Sequence, residues 1–267
     1  MRFILIHGGF HGAWCWSRTA PELARLGHEA VAIDMPGNGD RVHEPASLAA
    51  SREAIVSLLE PGDVLVGHSG GGYDVTIAAD AAPDLVRHVV YLAAGLPLEG
   101  RPIVEATGGK TITHPDGTVE VTQLMTDATG MLRFLRPDSE GRLACVDYEG
   151  VRDFFYHDCD EQTARWAFER MTPAKAGWNL EPVSVPRFWK AELPRSYIKC
   201  LQDRAKPRWM SEQVADRLGV LPLEINTSHS PFLSRPAELA ELLVEAVDTV
   251  PIGPLKPGHS TRFQPPA

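Results

Sequence analysis

The chain predicts an α/β protein: a mostly parallel sheet with helices on both faces and an inserted helical cap. Three observations carry this. Short apolar runs alternate with helical stretches from Phe3 to Leu92, the alternation breaks near Gly95, and it resumes at Arg195. Strands that read as continuous apolar runs, each followed by a helix, belong to sheets buried on both faces. The 267 residues suffice for one large domain, and 43% hydrophobic with 23% charged residues is ordinary for a globular chain.

Phe3–Ile6 reads as the first strand, and Trp14–Leu26 as a helix with Pro21 as an irregularity. Glu29–Ile33 is a second strand ending at Asp34, followed by a glycine-rich loop. Ser47–Leu59 is a helix with Ser47 placed to cap it. Val64–Val66 is a strand, Gly70–Ala81 a helix and Val86–Leu92 a strand. From 100 to 186, glycine and proline punctuate the start. Short helices follow at Ala128–Leu135, Tyr148–His157 and Glu161–Met171, with Phe134, Tyr148, Phe154, Phe155, Tyr156, Trp166, Phe168 and Trp178 among them. This is the cap, inserted between core segments 1–99 and 187–250. Arg195–Leu201 and Pro222–Ile225 are strands, and Pro207–Leu218 and Pro236–Val247 are helices. Residues 251–267 hold five prolines and no apolar period, which reads as a mobile or surface-laid tail.

Charge and cysteine usage exclude several classes. A formal net charge of −9 speaks against nucleic acid, which needs a basic face, and against an anionic membrane surface. The apolar run after Met1-Arg2 stops at His7-Gly8-Gly9, too short for a secretory or membrane segment. Cys15, Cys145, Cys159 and Cys200 have no C-x-x-C spacing, so a reduced, cytoplasmic setting is the simplest expectation. The exposed faces of the cap could support a homodimer.

The chemistry concentrates at Gly67-His68-Ser69-Gly70-Gly71. G-x-S-x-G between a strand and a helix is a nucleophile elbow: a sharp turn that presents the serine Oγ at a helix N-terminus. No lysine follows the glycines, so a phosphate-binding Walker loop is excluded. A serine needs a base, and the base an orienting acid. Asp203 and His229 lie just past two later predicted strands, in the order that an elbow serine requires. Asp203 would hold the imidazole, and His229 would move the serine proton. The oxyanion hole needs two backbone donors: Gly70, next after the serine, and one from His7-Gly8-Gly9-Phe10, with Gly9 chosen and Phe10 the alternative. His7 and His11 flank glycines with no third ligand nearby in sequence, so no metal is expected and hydrogen bonding that shapes the loop is the better reading. Asp34 reads as a loop-shaping carboxylate, Asp74 as a first-turn residue suited to the helix dipole, and Asp158 with Asp160 as caps of the following helix.

His7-Gly8-Gly9-Phe10-His11-Gly12-Ala13-Trp14, Gly67–Gly72 and the Asp203 and His229 loops resemble the esterase/hydroxynitrile lyase group of the α/β-hydrolase superfamily, bacterial members included. The resemblance covers about 2–98 and 195–247. It implies the α/β-hydrolase fold, the triad Ser69, Asp203 and His229, the oxyanion donors Gly9 and Gly70, and no cofactor. The lyases of that group carry a threonine where Gly8 stands and a lysine where Ser230 stands. Both are missing, so hydrolysis of a small, largely apolar or aryl carboxylic ester is expected. Phe10, Trp14, Phe154, Tyr156 and Trp166 are the candidate substrate-lining residues. Two other readings stay open: a cofactor-independent lyase or dioxygenase on the same fold, and a ligand-sensing receptor with slow turnover.

Overall fold

A computed structural model describes residues 1–116, 118–123, 130–174 and 180–263. Six parallel strands form the main sheet: β1 (Arg2–Ile6), β2 (Glu29–Ile33), β3 (Asp63–His68), β4 (Val86–Leu92), β5 (Arg195–Cys200) and β6 (Leu223–Ile225). Their spatial order is β6-β5-β4-β3-β1-β2. Successive side chains of a strand point to opposite faces, and the core divides accordingly. Phe3, Leu5, Val64 and Val66 join one apolar cluster, whereas Ile4, Ile6 and Leu65 join the other. The order also positions the site. The chain leaves β1 toward β2 on one side and returns to β3 on the other, so the loops after β1 and β3 diverge. Ligands of open parallel sheets bind in such a crevice at the carboxyl ends of the strands.

The helices include α1 (Thr19–Arg25), α2 (Leu48–Val56), α3 (Gly71–Ala81), α4 (Tyr148–Phe155), α5 (Glu161–Phe168), α6 (Pro186–Ala191), α7 (Arg208–Leu218), α8 (Pro231–Ser234) and α9 (Pro236–Ala246), and a four-residue helix spans Ile103–Ala106. Ser47 caps α2, its hydroxyl accepting the Ala50 N–H at 3.1 Å. The expected helix over Trp14–Leu26 is two pieces, a 3-10 segment at Ala13–Ser17 and then α1. Pro21 explains the break: it has no N–H to give and is tolerated only in a first turn, so the helix restarts just before it.

Residues 100–186 hold more strand than expected. Short antiparallel pairs join Lys110–Thr113 to Val119–Gln123, Leu135–Pro137 to Leu143–Cys145, and Arg101–Pro102 to Pro182–Val183. Thr111-Ile112-Thr113 and Val119-Glu120-Val121 alternate β-branched residues on either side of His114-Pro115-Asp116, a hairpin signal. Met131–Phe134 is a 3-10 turn. Trp178, and Ala128 at the start of the predicted first cap helix, lie outside the described residues. Phe134, Phe154, Phe155 and Tyr156 pack into the same cluster as β1 and β3, so the described part of 100–186, called the cap, shares the core of the sheet.

Residues 251–263 are bonded to β5 and to α7. Arg195 donates to Gly253 O at 2.8 Å, and Lys256 Nζ meets Asp216 at 2.9 Å. The fully buried Arg217 donates to Leu96 O and Pro97 O on one side and to Lys256 O and Pro257 O on the other. No helix among the described residues is long and apolar enough to cross a membrane.

Candidate active site

Ser69 follows β3 with φ +53°, a left-handed backbone that costs a residue with a Cβ. The turn is held by its own backbone: Ser69 N–H donates to Leu92 O at 3.1 Å, and Ser69 O accepts from Gly72 and Gly95. Gly67 and Gly71 are needed for close approach. A Cβ on Gly67 would sit 2.5 Å from Gly71 O, and one on Gly71 would sit 2.6 Å from His7 O. The half-buried Ser69 therefore stands at the first turn of α3, whose leading N–H groups favour negative charge.

Asp203 and His229 are brought together. Asp203 Oδ1 accepts the N–H groups of Ala205 and Lys206, both at 2.8 Å, which fixes the carboxylate. Its Oδ2 accepts Nδ1–H of His229 at 2.7 Å, leaving the other ring nitrogen as an acceptor. Both side chains are almost wholly buried. His68, one residue before the serine, donates Nε2–H to the His229 carbonyl at 2.9 Å, and the two rings lie 4.6 Å apart. This clasp ties the histidine loop to the elbow strand. Burial holds His68 well below the usual histidine range, so it stays neutral and can make that bond with one nitrogen only.

The loop after β1 supplies the other wall. A Cβ on Gly8 would lie 2.7 Å from Ser69 Cβ, and one on Gly70 would lie 3.6 Å from Gly9 N. The Gly9 N–H thus sits beside Gly70. His7 accepts the Met35 N–H on Nε2 at 3.0 Å and donates Nδ1–H to Gly8 O at 2.8 Å. A trans peptide points its N–H away from its carbonyl, so fixing Gly8 O fixes the direction of the Gly9 N–H. Asp34 shapes the same loop, accepting from Ala13 at 2.7 Å and from Asp40 at 3.2 Å. Among the described residues, no group of three or more His, Cys, Asp or Glu could hold a metal.

The predicted lining residues divide. Phe10 is buried with φ +66°, and its carbonyl accepts the Thr172 N–H of the cap at 2.9 Å. Trp14 stacks on His11 at 5.3 Å and meets the edge of Trp166 at 5.4 Å. Phe154 packs inside the cap against Phe134 and Phe155, and Tyr156 is wholly buried with its hydroxyl on His11 at 2.7 Å. Those two have interior partners rather than an open face. Asp160 caps α5 through Thr163, but Asp158 does not: its carboxylate accepts the Ser228 N–H at 3.0 Å. Asp74 is buried on α3, and burial pushes its carboxyl up to about 6. His68, Phe155, Asp158 and Ser228 are site neighbours to which the sequence reading gave no role at the site. Only His68 had a signal, its place inside the pentapeptide; the others act through contacts at long sequence separation.

A strained serine at a helix start, a carboxylate-held histidine and a glycine-lined loop beside the serine are features of the hydrolase class of open α/β sheets. Residues 3–242 match the model of the alpha/beta hydrolase family, and the chain belongs to it. Methylesterase 1 of Arabidopsis thaliana is 28% identical over 266 residues, covering 92% of this chain and 95% of the relative. Norfluorocurarine synthase 1 of Strychnos is 25% identical over 268 residues, covering 93% and 96%. Among solved structures, an extracellular α/β-hydrolase from a Paenibacillus species superposes with a TM-score of 0.77 at 23% identity, covering 93% of this chain and all of the other. A pyrethroid hydrolase from Sphingobium faniae gives 0.67 at 24%, covering 93% and 98%. These superpositions show the shared fold.

Proposed function

We propose that the chain is a serine carboxylesterase acting on small, largely apolar or aryl esters through an acyl-enzyme on Ser69. The observation that carries the reading is the 2.7 Å Asp203–His229 pair, clasped by His68 onto the strand that leads into Ser69. Ser69 Oγ attacks the ester carbonyl as His229 takes its proton. The oxyanion lies between the N–H groups of Gly9 and Gly70. His229 then protonates the leaving alcohol, and a water activated by His229 releases the acid. Asp203 holds the imidazole tautomer and stabilises the imidazolium. Residues 100–186 act as a cap over a core made of 1–99 and 187–250, and Phe10, Trp14 and Trp166 line the acyl or alcohol side. The methylesterase and pyrethroid hydrolase names borne by relatives support an ester substrate. The four free cysteines fit a reduced, cytoplasmic setting.

The lyase alternative is weakened by sterics. No side chain fits at position 8 without displacing Ser69, and position 230 holds a fully buried serine rather than a lysine. Ser69→Ala should abolish turnover of p-nitrophenyl acetate and butyrate and prevent labelling by a fluorophosphonate. Retained ester cleavage in that variant would overturn the reading.

A further inference from the structure

We propose that His11 and Tyr156 form a positioning relay that seats the oxyanion loop only when the cap is docked. The inference rests on the esterase reading and concerns residues outside the triad and the oxyanion donors. His11 Nδ1 lies 2.8 Å from Gly9 O and must donate, because a carbonyl only accepts. Burial pushes His11 down to about 3, so the ring is neutral and Nε2 is an acceptor. The Tyr156 hydroxyl, 2.7 Å away and wholly buried, is then the donor to Nε2. A directional chain runs from Tyr156 O–H through the imidazole to the Gly9 carbonyl. It starts on the cap, immediately after α4, and ends on the loop after β1.

The loop needs such a hold. Gly9 is exposed, and a Cβ there would meet nothing within 4 Å, so packing does not fix the Gly9–Phe10 peptide plane. The next residue, Phe10, is held at φ +66°, a conformation that a residue with a Cβ leaves if nothing prevents it. Rotation of the Gly9–Phe10 peptide would relieve Phe10 and swing Gly9 O and the Phe10 N–H. The relay grips Gly9 O, and the Thr172 N–H of the cap grips Phe10 O at 2.9 Å. Two successive carbonyls on either side of the strained residue are thus held by cap-anchored donors. The ring itself has one orientation, stacked on Trp14 and edged by Phe155, Tyr156, Phe232 and His68 within 6.0 Å. His7 on Gly8 O and the relay on Gly9 O hold the peptides on either side of the Gly9 Cα, so losing the relay lets Gly9 shift and misaims its N–H, which weakens binding of the developing charge, not of the ground-state ester.

The test is a kinetic cycle on p-nitrophenyl butyrate with Tyr156→Phe, His11→Ala, His11→Asn and the double variant Tyr156→Phe/His11→Ala. Tyr156→Phe should lower kcat about 10-fold with KM within about twofold, the mark of a contact made in the transition state. The double variant should be no worse than His11→Ala alone, as expected of two residues in one relay. His11→Asn should recover much of the loss, because its amide Nδ2–H can replace Nδ1–H toward Gly9 O. Histidine ¹⁵N spectra should show the His11 Nδ1–H tautomer in the wild type, and in Tyr156→Phe a shift of the unprotonated Nε2 resonance as its hydrogen bond is lost, which reads the relay without turnover and also reports folding. Unchanged kcat in Tyr156→Phe, additive losses, or an unshifted Nε2 resonance would overturn the relay. Ester turnover that survives Ser69→Ala would instead overturn the esterase reading and leave the tautomer result standing.

Discussion

Asp158, on the cap, accepts the backbone N–H of Ser228, one residue before His229, at 3.0 Å. The Ser228 hydroxyl in turn donates to Phe155 O at 2.9 Å, so cap and histidine loop are laced by two bonds. Asp158→Ala removes an acceptor from a buried N–H and loosens the loop that carries His229, the proposed base. Displacement of a catalytic group by about 1 Å can cost on the order of 100-fold. We expect kcat to fall about 10- to 100-fold in Asp158→Ala, with Asp158→Asn, which keeps an acceptor oxygen, within a few-fold of wild type. Steady-state kinetics of the two variants side by side check it; equal losses would mean that charge, not the acceptor, matters.

Asp203→Asn is expected to be far more damaging. The carboxylate accepts on both oxygens, from Ala205, Lys206 and His229. An amide can serve the two backbone donors with its oxygen, but its NH₂ then faces Nδ1 and forces the proton to the other ring nitrogen. The base is lost in that tautomer, and kcat should fall by about 10⁴ while the fold survives. A loss below about 10-fold, with an unchanged melting temperature, would remove Asp203 from the mechanism.

The elbow glycines make a steric prediction. The carbonyls facing positions 67 and 71 are backbone and cannot rotate away. Gly71→Ala should destabilise by about 1 to 3 kcal/mol, as forced overpacking does. Gly62→Ala is a poor control because Gly62 has φ +92°, whereas Gly258→Ala meets open space. Urea midpoints for Gly71→Ala and Gly258→Ala should therefore separate clearly, with only the former also losing activity.

What was legible in the chain follows from range. The elbow, the Ser47 cap and the positions of Asp203 and His229 are written in local turn chemistry and in where strands end. The relations that join cap to core are not. His11 and Tyr156 are 145 residues apart, Asp158 and Ser228 are 70 apart, and no local pattern pairs them. The antiparallel pairs of the cap were hidden because glycine and proline mark a hairpin and a loop alike. The tail has no apolar period: Leu255 is its buried apolar side chain, and backbone carbonyls bonded to Arg195 and Arg217 leave no periodic sequence mark.

That tail carries a prediction of its own. Arg217 is buried and bonded to carbonyls of two segments, and burial pulls its guanidinium down to about 10, still charged at neutral pH. Ending the chain at Val250 would take away the Lys256 and Pro257 carbonyls and leave a buried cation with half its acceptors. Breaking one side of a buried charge network costs about 3 to 5 kcal/mol. Part of that is recovered as water reaches the newly exposed group, so a loss of about 2 to 4 kcal/mol is expected in urea unfolding. Stability unchanged by the truncation would mean that the tail is a passive covering.

Buried histidines set the acid limit of the fold. His11 is pushed down to about 3 and His88 to about 4, and His7 and His68 are also lowered, burial being the first cause in each. Their ordinary value is about 6.5. Between these limits the unfolded chain binds protons that the folded chain refuses, so stability rises with pH up to about 6.5 and is lost as pH falls below it. Each such group contributes a slope of about 1.4 kcal/mol per pH unit inside its window. Asp74 opposes them, since its raised value near 6 makes the folded state take up a proton as pH falls from 6 toward 4. The sum is therefore best read by difference. His11→Asn should reduce the slope of unfolding free energy between pH 4.5 and 6 by about one proton, and Asp74→Asn should steepen it. Urea unfolding across that range for the three proteins measures both changes, and a His11→Asn slope equal to wild type would mean that the imidazole titrates freely in the fold.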